Sequence, residues 1–154
     1  MLVLNSRSLD SRMTYRILLV DDHAMVREGF KRLLDVPGLS ICGEASDGKE
    51  ALEKVAALKP DLVLMDLSMP VMGGIEATRE IRRLSPAVKV IIVSLHDSVH
   101  AATQAKHAGA DAYVVKSRSA AELLEAISVV LGEDLSAEKA SRGLQAVSGR
   151  IKRR

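Results

Sequence analysis

Five polar side chains stand at or just past the ends of short apolar runs in this sequence. Asp21 and Asp22 follow the run 17–20, Asp66 follows 62–65, Ser94 follows 89–93 and Lys116 follows 112–115. Carboxylates gathered in one small cleft repel one another unless a proton or a cation intervenes, so the trio Asp21, Asp22 and Asp66 predicts a hard divalent ion with oxygen ligands. Mg²⁺ is the first choice, because it keeps several waters and leaves coordination positions for phosphate oxygens. A lysine would set a point charge against an incoming phosphoryl group, and a serine hydroxyl would donate to one of its oxygens. Together these groups have the chemistry of phosphoryl transfer.

Taken singly, each is ordinary: an Asp after a strand often caps a helix, and a Lys before one is often only solvated. Their weight comes from the elements that must position them. From Arg16 onward, short apolar runs at 17–20, 40–45, 62–65, 89–93 and 112–115 alternate with longer stretches of helical period. That is the pattern of a parallel sheet covered on both faces by helices, whose strands lose polar alternation because both sides are buried. Val26, Phe30, Leu33 and Leu34 form one apolar stripe; Leu123, Leu124, Ile127, Val130 and Leu131 form another. Pro37-Gly38, Asp47-Gly48, Pro60 and Gly109 punctuate the pattern at helix ends and strand starts. Right-handed crossovers then give a doubly wound, five-stranded α/β sheet, in which ligands sit beyond the carboxyl ends of the strands. All five polar residues converge on that edge.

The bulk composition sets the outer limits. At 154 residues the chain suits one domain with one core. A net charge of +2 and 2% aromatics give neither a broad basic field nor stacking platforms, so direct nucleic-acid binding by this chain is not expected. No apolar stretch approaches a membrane helix in length, and residues 1–12 lack the apolar segment of a secretory signal; a cytoplasmic location is expected. The lone Cys42 lies in an apolar run and reads as a small buried hydrophobe. Residues 1–13 read as an extension, 14–131 as the folded domain, and 132–154 as a basic tail or linker in which 136–151 holds one short, marginal helix.

The strings Ile17-Leu18-Leu19-Val20-Asp21-Asp22-His23, Leu64-Met65-Asp66-Leu67-Ser68-Met69-Pro70 and Tyr113-Val114-Val115-Lys116 resemble the response-regulator receiver family of two-component signalling. Val26-Arg27-Glu28-Gly29-Phe30 and Val93-Ser94-Leu95-His96-Asp97 are similar to the branch whose receivers usually precede a LuxR-type helix-turn-helix domain. The resemblance implies a flavodoxin-like (βα)5 fold and a phosphorelay function. It implies Asp66 as phosphoacceptor, with Asp22, Asp66 and the backbone carbonyl of Ser68 on Mg²⁺ and Asp21 acting through water. Ser94 would swing toward the phosphoryl group, Lys116 would hold it, and Tyr113 would change rotamer with Ser94. The implied partners are a sensor histidine kinase or phosphotransfer protein, a downstream effector protein, and a second copy in a phosphorylation-dependent homodimer. The protein then reads as a substrate and switch, not an enzyme.

Departures and rivals bear on this reading. Ser117 stands where many receivers carry proline, so no cis peptide is expected after Lys116. Gly73-Gly74 is followed by no Lys-Ser or Lys-Thr pair and reads as turn chemistry, not a phosphate cradle. His23 reads as the start of a helix, while His96, His100 and His107 read as surface residues. The alternative function is the N-terminal receiver of a DNA-binding transcriptional regulator. A flavin binder of shared topology is disfavoured by carboxylates at the edge where an anionic flavin phosphate would sit.

Overall fold

A computed structural model describes residues 14–133 and 135. Five strands alternate with five helices: β1 (Tyr15–Val20), α1 (Ala24–Leu33), β2 (Leu39–Ala45), α2 (Gly48–Leu58), β3 (Leu62–Asp66), α3 (Gly74–Leu84), β4 (Lys89–Ser94), α4 (Val99–His107), β5 (Ala112–Val115) and α5 (Ala120–Leu131). All strands are parallel in the order β2-β1-β3-β4-β5, the doubly wound flavodoxin-like arrangement. Strand order reverses between β1 and β3, which is where such sheets bind ligands.

Alternation along the strands divides the core into two layers. Leu18, Val20, Val63, Met65, Val90 and Ile92 face one side and meet Ala51 and Val55 of α2, Ala77 and Ile81 of α3, and Ala105 of α4. Ile17, Leu19, Leu62, Leu64, Ile91 and Val93 face the other and meet Leu123, Leu124 and Ile127 of α5. The α1 stripe packs only partly: Phe30 and Leu33 are half-buried, and Leu34, just past the helix, is the residue that reaches the core. Leu135 also packs into this second layer.

Local chemistry sets the helix ends. The Asp47 carboxylate accepts from the Glu50 N–H, and the Glu50 carboxylate accepts in return from Ser46 N–H at 3.1 Å, so donors at the start of α2 are satisfied from both sides. Ser98 caps α4 by accepting from Ala101 N–H at 3.2 Å. The β1–β2 register slips between Ile17 and Leu18, which pair with Ile41 and Gly43, leaving Cys42 as an extra residue on the edge strand. Among the described residues no peptide bond is cis, as the Lys116-Ser117 pair predicts. Cys42 is only half-buried rather than enclosed, because it lies on this edge. No helix among the described residues is long and apolar enough to cross a membrane.

Candidate functional site

Asp21 and Asp22 lie just past β1, Asp66 is the last residue of β3, Ser94 the last of β4, and Lys116 follows β5. The strands run one residue further than the periodicity marks at Asp66 and Ser94, so both side chains are fixed by ladder pairing. Asp66 is opposite Val93, and Ser94 opposite Val115. Asp21, Asp66 and Ser94 are buried. The Lys116 ammonium donates to Asp21 Oδ2 at 2.6 Å and to Asp66 Oδ1 at 2.9 Å, closing one side of the cluster.

The electrostatics follow from that packing. Burial pushes the Asp66 carboxyl above its ordinary value; the Lys116 hydrogen bond pulls the other way, and the charges of Asp21 and Asp22 add to the rise. Burial pulls the Lys116 ammonium down, but its hydrogen bonds to Asp21 and Asp66 outweigh this and the net direction is up. Asp22 Oδ1 is buried and accepts no well-formed hydrogen bond, with only the His23 ring nitrogen near it at 3.1 Å, an uncommon state for a carboxylate oxygen that a cation would relieve. One ligand atom each from Asp21, Asp22, His23 and Asp66 falls within 4.8 Å of the others. The oxygen-rich donor set and the orphaned acceptor therefore fit a divalent cation.

Beside the cluster opens a cavity of about 340 Å³ lined by His23, Asp66, Ser68, Ser94, His96 and Lys116. A groove of about 440 Å³ runs along β5 and α5, with Asp97, Tyr113 and Val129 in its walls; it holds none of the acidic cluster. The chemistry points to the smaller cavity. Around its rim, Ser94 Oγ accepts from the His96 N–H at 3.1 Å, while the Tyr113 hydroxyl donates to the His96 carbonyl at 2.7 Å. Both predicted switch residues thus grip the backbone of the same residue, His96, of the β4–α4 loop, one through its N–H and the other through its carbonyl.

Four further residues on the elements around the site were not singled out for it by pattern. Gly74 packs so tightly that an added Cβ would lie 2.2 Å from the Asp66 carbonyl oxygen; its place in Gly73-Gly74 signals a turn but not that neighbour. Arg27 donates to the Asp21 carbonyl at 2.5 Å and to Glu44 Oε1 at 3.0 Å, tying α1 to the strand end. Val71 stands exposed in the β3–α3 loop with φ of 68°, a left-handed conformation that a β-branched residue adopts only under strain. His23 caps α1 through its backbone, as its position suggests, yet its ring also faces the carboxylates.

The model of the family described as "Response regulator receiver domain" matches residues 17–128. The chain is 45% identical over 116 residues to the response regulator GacA of Pseudomonas viridiflava, covering 75% of this chain and 54% of that protein. It is 40% identical to the transcriptional regulatory protein DegU of Brevibacillus brevis, over 75% of this chain and 49% of that one. The chain spans about half the length of the curated relatives it matches. Among solved structures, a two-component response regulator of the LuxR family from Aurantimonas sp. SI85-9A1 superposes with a TM-score of 0.74 at 42% identity, over 85% of this chain and 99% of that one. The CheX-CheY-BeF3-Mg+2 complex from Borrelia burgdorferi matches with a TM-score of 0.73 at 26% identity, over 77% and 90%.

Proposed function

Since the chain belongs to the response-regulator receiver family, we propose that it takes a phosphoryl group onto Asp66 from a sensor histidine kinase or phosphotransfer protein and passes the signal on through altered protein contacts. The observation that carries this reading is the Lys116 ammonium held against Asp66 and Asp21 in the wall of a cavity that Ser94 also lines.

In this reading an Asp66 carboxylate oxygen forms the new bond to phosphorus as the donor's P–N bond breaks and the imidazole leaves. Mg²⁺, held by Asp22, Asp66 and the Ser68 carbonyl with Asp21 behind it, would neutralise charge on the phosphoryl oxygens. Lys116 is already in place to pair with one of those oxygens. Ser94, whose hydroxyl accepts from the His96 N–H and keeps its own hydrogen to give, would turn to donate to another, and the Tyr113 hydroxyl holds the carbonyl of that same residue, so a shift of His96 would link the hydroxyl and the aromatic. Close to two added negative charges supply the drive. The loop before α4, and then the surface of α4, β5 and α5, would carry the change to an effector or to a second copy. Substrate and switch describe this role better than enzyme. The cytoplasm is its proposed location, and the receiver unit is proposed to span 14–131.

Incubation with Mg²⁺ and acetyl phosphate, followed by intact-mass spectrometry, tests the reading. One phosphoryl increment on the wild type and none on Asp66→Ala is the expected result. Absence of both the increment and beryllofluoride binding would overturn it. A second reading, the receiver of a DNA-binding regulator, is favoured by the relatives of about twice the matched length. The reading frame downstream of Arg154 decides that, by encoding a helix-turn-helix module or not.

A further inference from the structure

The divalent-ion pocket contains a nitrogen donor as well as oxygens. His23 Nδ1 lies 3.1 Å from Asp22 Oδ1 and shares a hydrogen bond of 3.3 Å with Asp21 Oδ1, which it would exchange for the ion. Adjacent ligands on an octahedral ion with bonds of about 2.1 Å stand about 3 Å apart, so these are the separations of neighbouring donors around one ion. The Asp22 oxygen in question is the orphaned acceptor. Lys116 takes Asp21 Oδ2 and Asp66 Oδ1, leaving Asp21 Oδ1 and Asp22 Oδ1 toward the His23 side.

The backbone places His23 beside the carboxylates. His23 N–H donates to Asp21 Oδ1 at 2.9 Å, and His23 is the N-cap of α1 with extended φ and ψ of −100° and 113°. Its side chain is 69% exposed, so a ring nitrogen engaging an ion from solvent carries little burial cost. Among the described residues no other histidine joins this cluster.

We propose that His23 is an ion ligand of this pocket, which makes it a site for imidazole-accepting first-row divalent ions such as Mn²⁺ in competition with Mg²⁺. Mg²⁺ prefers oxygen and gains little from imidazole, whereas Mn²⁺ and the ions after it gain a bond. An ion held by His23 in addition to the carboxylates has fewer open positions for phosphoryl oxygens. The identity of the bound metal would thereby set how readily Asp66 is modified. This rests on the pocket being the divalent-ion site proposed above.

Mn²⁺ is the probe, and pulsed electron paramagnetic resonance of the full chain is the readout. The wild type should show nitrogen modulation from a directly bound imidazole, altered when histidine is labelled with ¹⁵N. His23→Ala should lose that modulation and bind Mn²⁺ about tenfold more weakly, with Mg²⁺ affinity changed less than about twofold. His96→Ala should keep the modulation. Bound Mn²⁺ without nitrogen modulation in the wild type, or modulation that survives in His23→Ala, overturns the role of His23 and leaves the ion site standing. Failure of both Mn²⁺ and Mg²⁺ to bind the wild type overturns the ion site as well. The wild-type spectrum is decisive even if the variant does not fold.

Discussion

Helix α3, which follows Asp66, buries Gly74, Ala77, Thr78 and Ile81, whereas α4, which follows Ser94, buries Ala105 alone. Gly74 is wedged against the Asp66 carbonyl, and Thr78 donates its hydroxyl to the Gly74 carbonyl at 2.7 Å in the interior. Leu95 and Val99, at the start of the α4 side, are instead exposed to solvent. In the switching proposed above, the contrast separates what would stay fixed from what would move. Buried apolar area sets the free energy of local opening, so a modification worth a few kcal/mol can displace α4 while leaving α3 in place.

The largest effect is expected on the rigid side. Gly74→Ala is expected to cost about 3 kcal/mol in urea unfolding, because its Cβ meets backbone that cannot yield, and to impair Asp66 labelling. A loss under about 1 kcal/mol would show that this side is softer than described. Hydrogen exchange addresses the contrast directly: amides of α4 should exchange at least about tenfold faster than those of α3. Ser98→Ala removes the α4 cap, worth about 1 kcal/mol, and should speed α4 exchange several-fold further without lowering the urea midpoint of the whole domain. A parallel fall in global stability would mean that α4 is welded to the core after all.

Smaller effects are expected around Asp66. Val71→Gly should stabilise the domain by about 1 kcal/mol, as relief of left-handed strain exceeds the added chain entropy of glycine. For Asp66 the folded-state affinity for protons is raised above the ordinary 3.8. Its contribution is then fully present below that pH and is lost as pH rises through the raised value. Asp66→Asn, which mimics the neutral form, should therefore unfold at a higher temperature than wild type near neutral pH, with the gap closing below pH 3.8. Equal melting temperatures throughout would remove the burial argument.

Much of this was legible because it rests on periods. Strands buried on both faces wrote themselves as apolar runs, and the polar residues beyond them were bound to meet once the sheet was parallel. Asp21, Asp66 and Lys116 do meet, within hydrogen-bond distance. The remainder depends on backbone paths that side-chain patterns do not encode. Nothing in Gly73-Gly74 tells that one glycine lies on the acceptor's carbonyl, and nothing in Val71 announces a positive φ. The α1 stripe read as core-facing, yet its cover is shared with α5 and Leu135, and those meet α1 only in three dimensions.

The slipped pairing of β1 with β2 has a consequence for crowded solutions. An open sheet carries two unpaired rims, and a straight rim is a template on which foreign strands can grow. Here one rim is interrupted by Cys42 as the extra residue, and the other is a strand of four residues. Neither offers a long regular row of free amides and carbonyls, so growth of a continuous sheet from chain to chain is discouraged at both ends. Contact between copies, as in the homodimer proposed above, would then fall to helical surfaces rather than to strand rims, where it runs away into fibres.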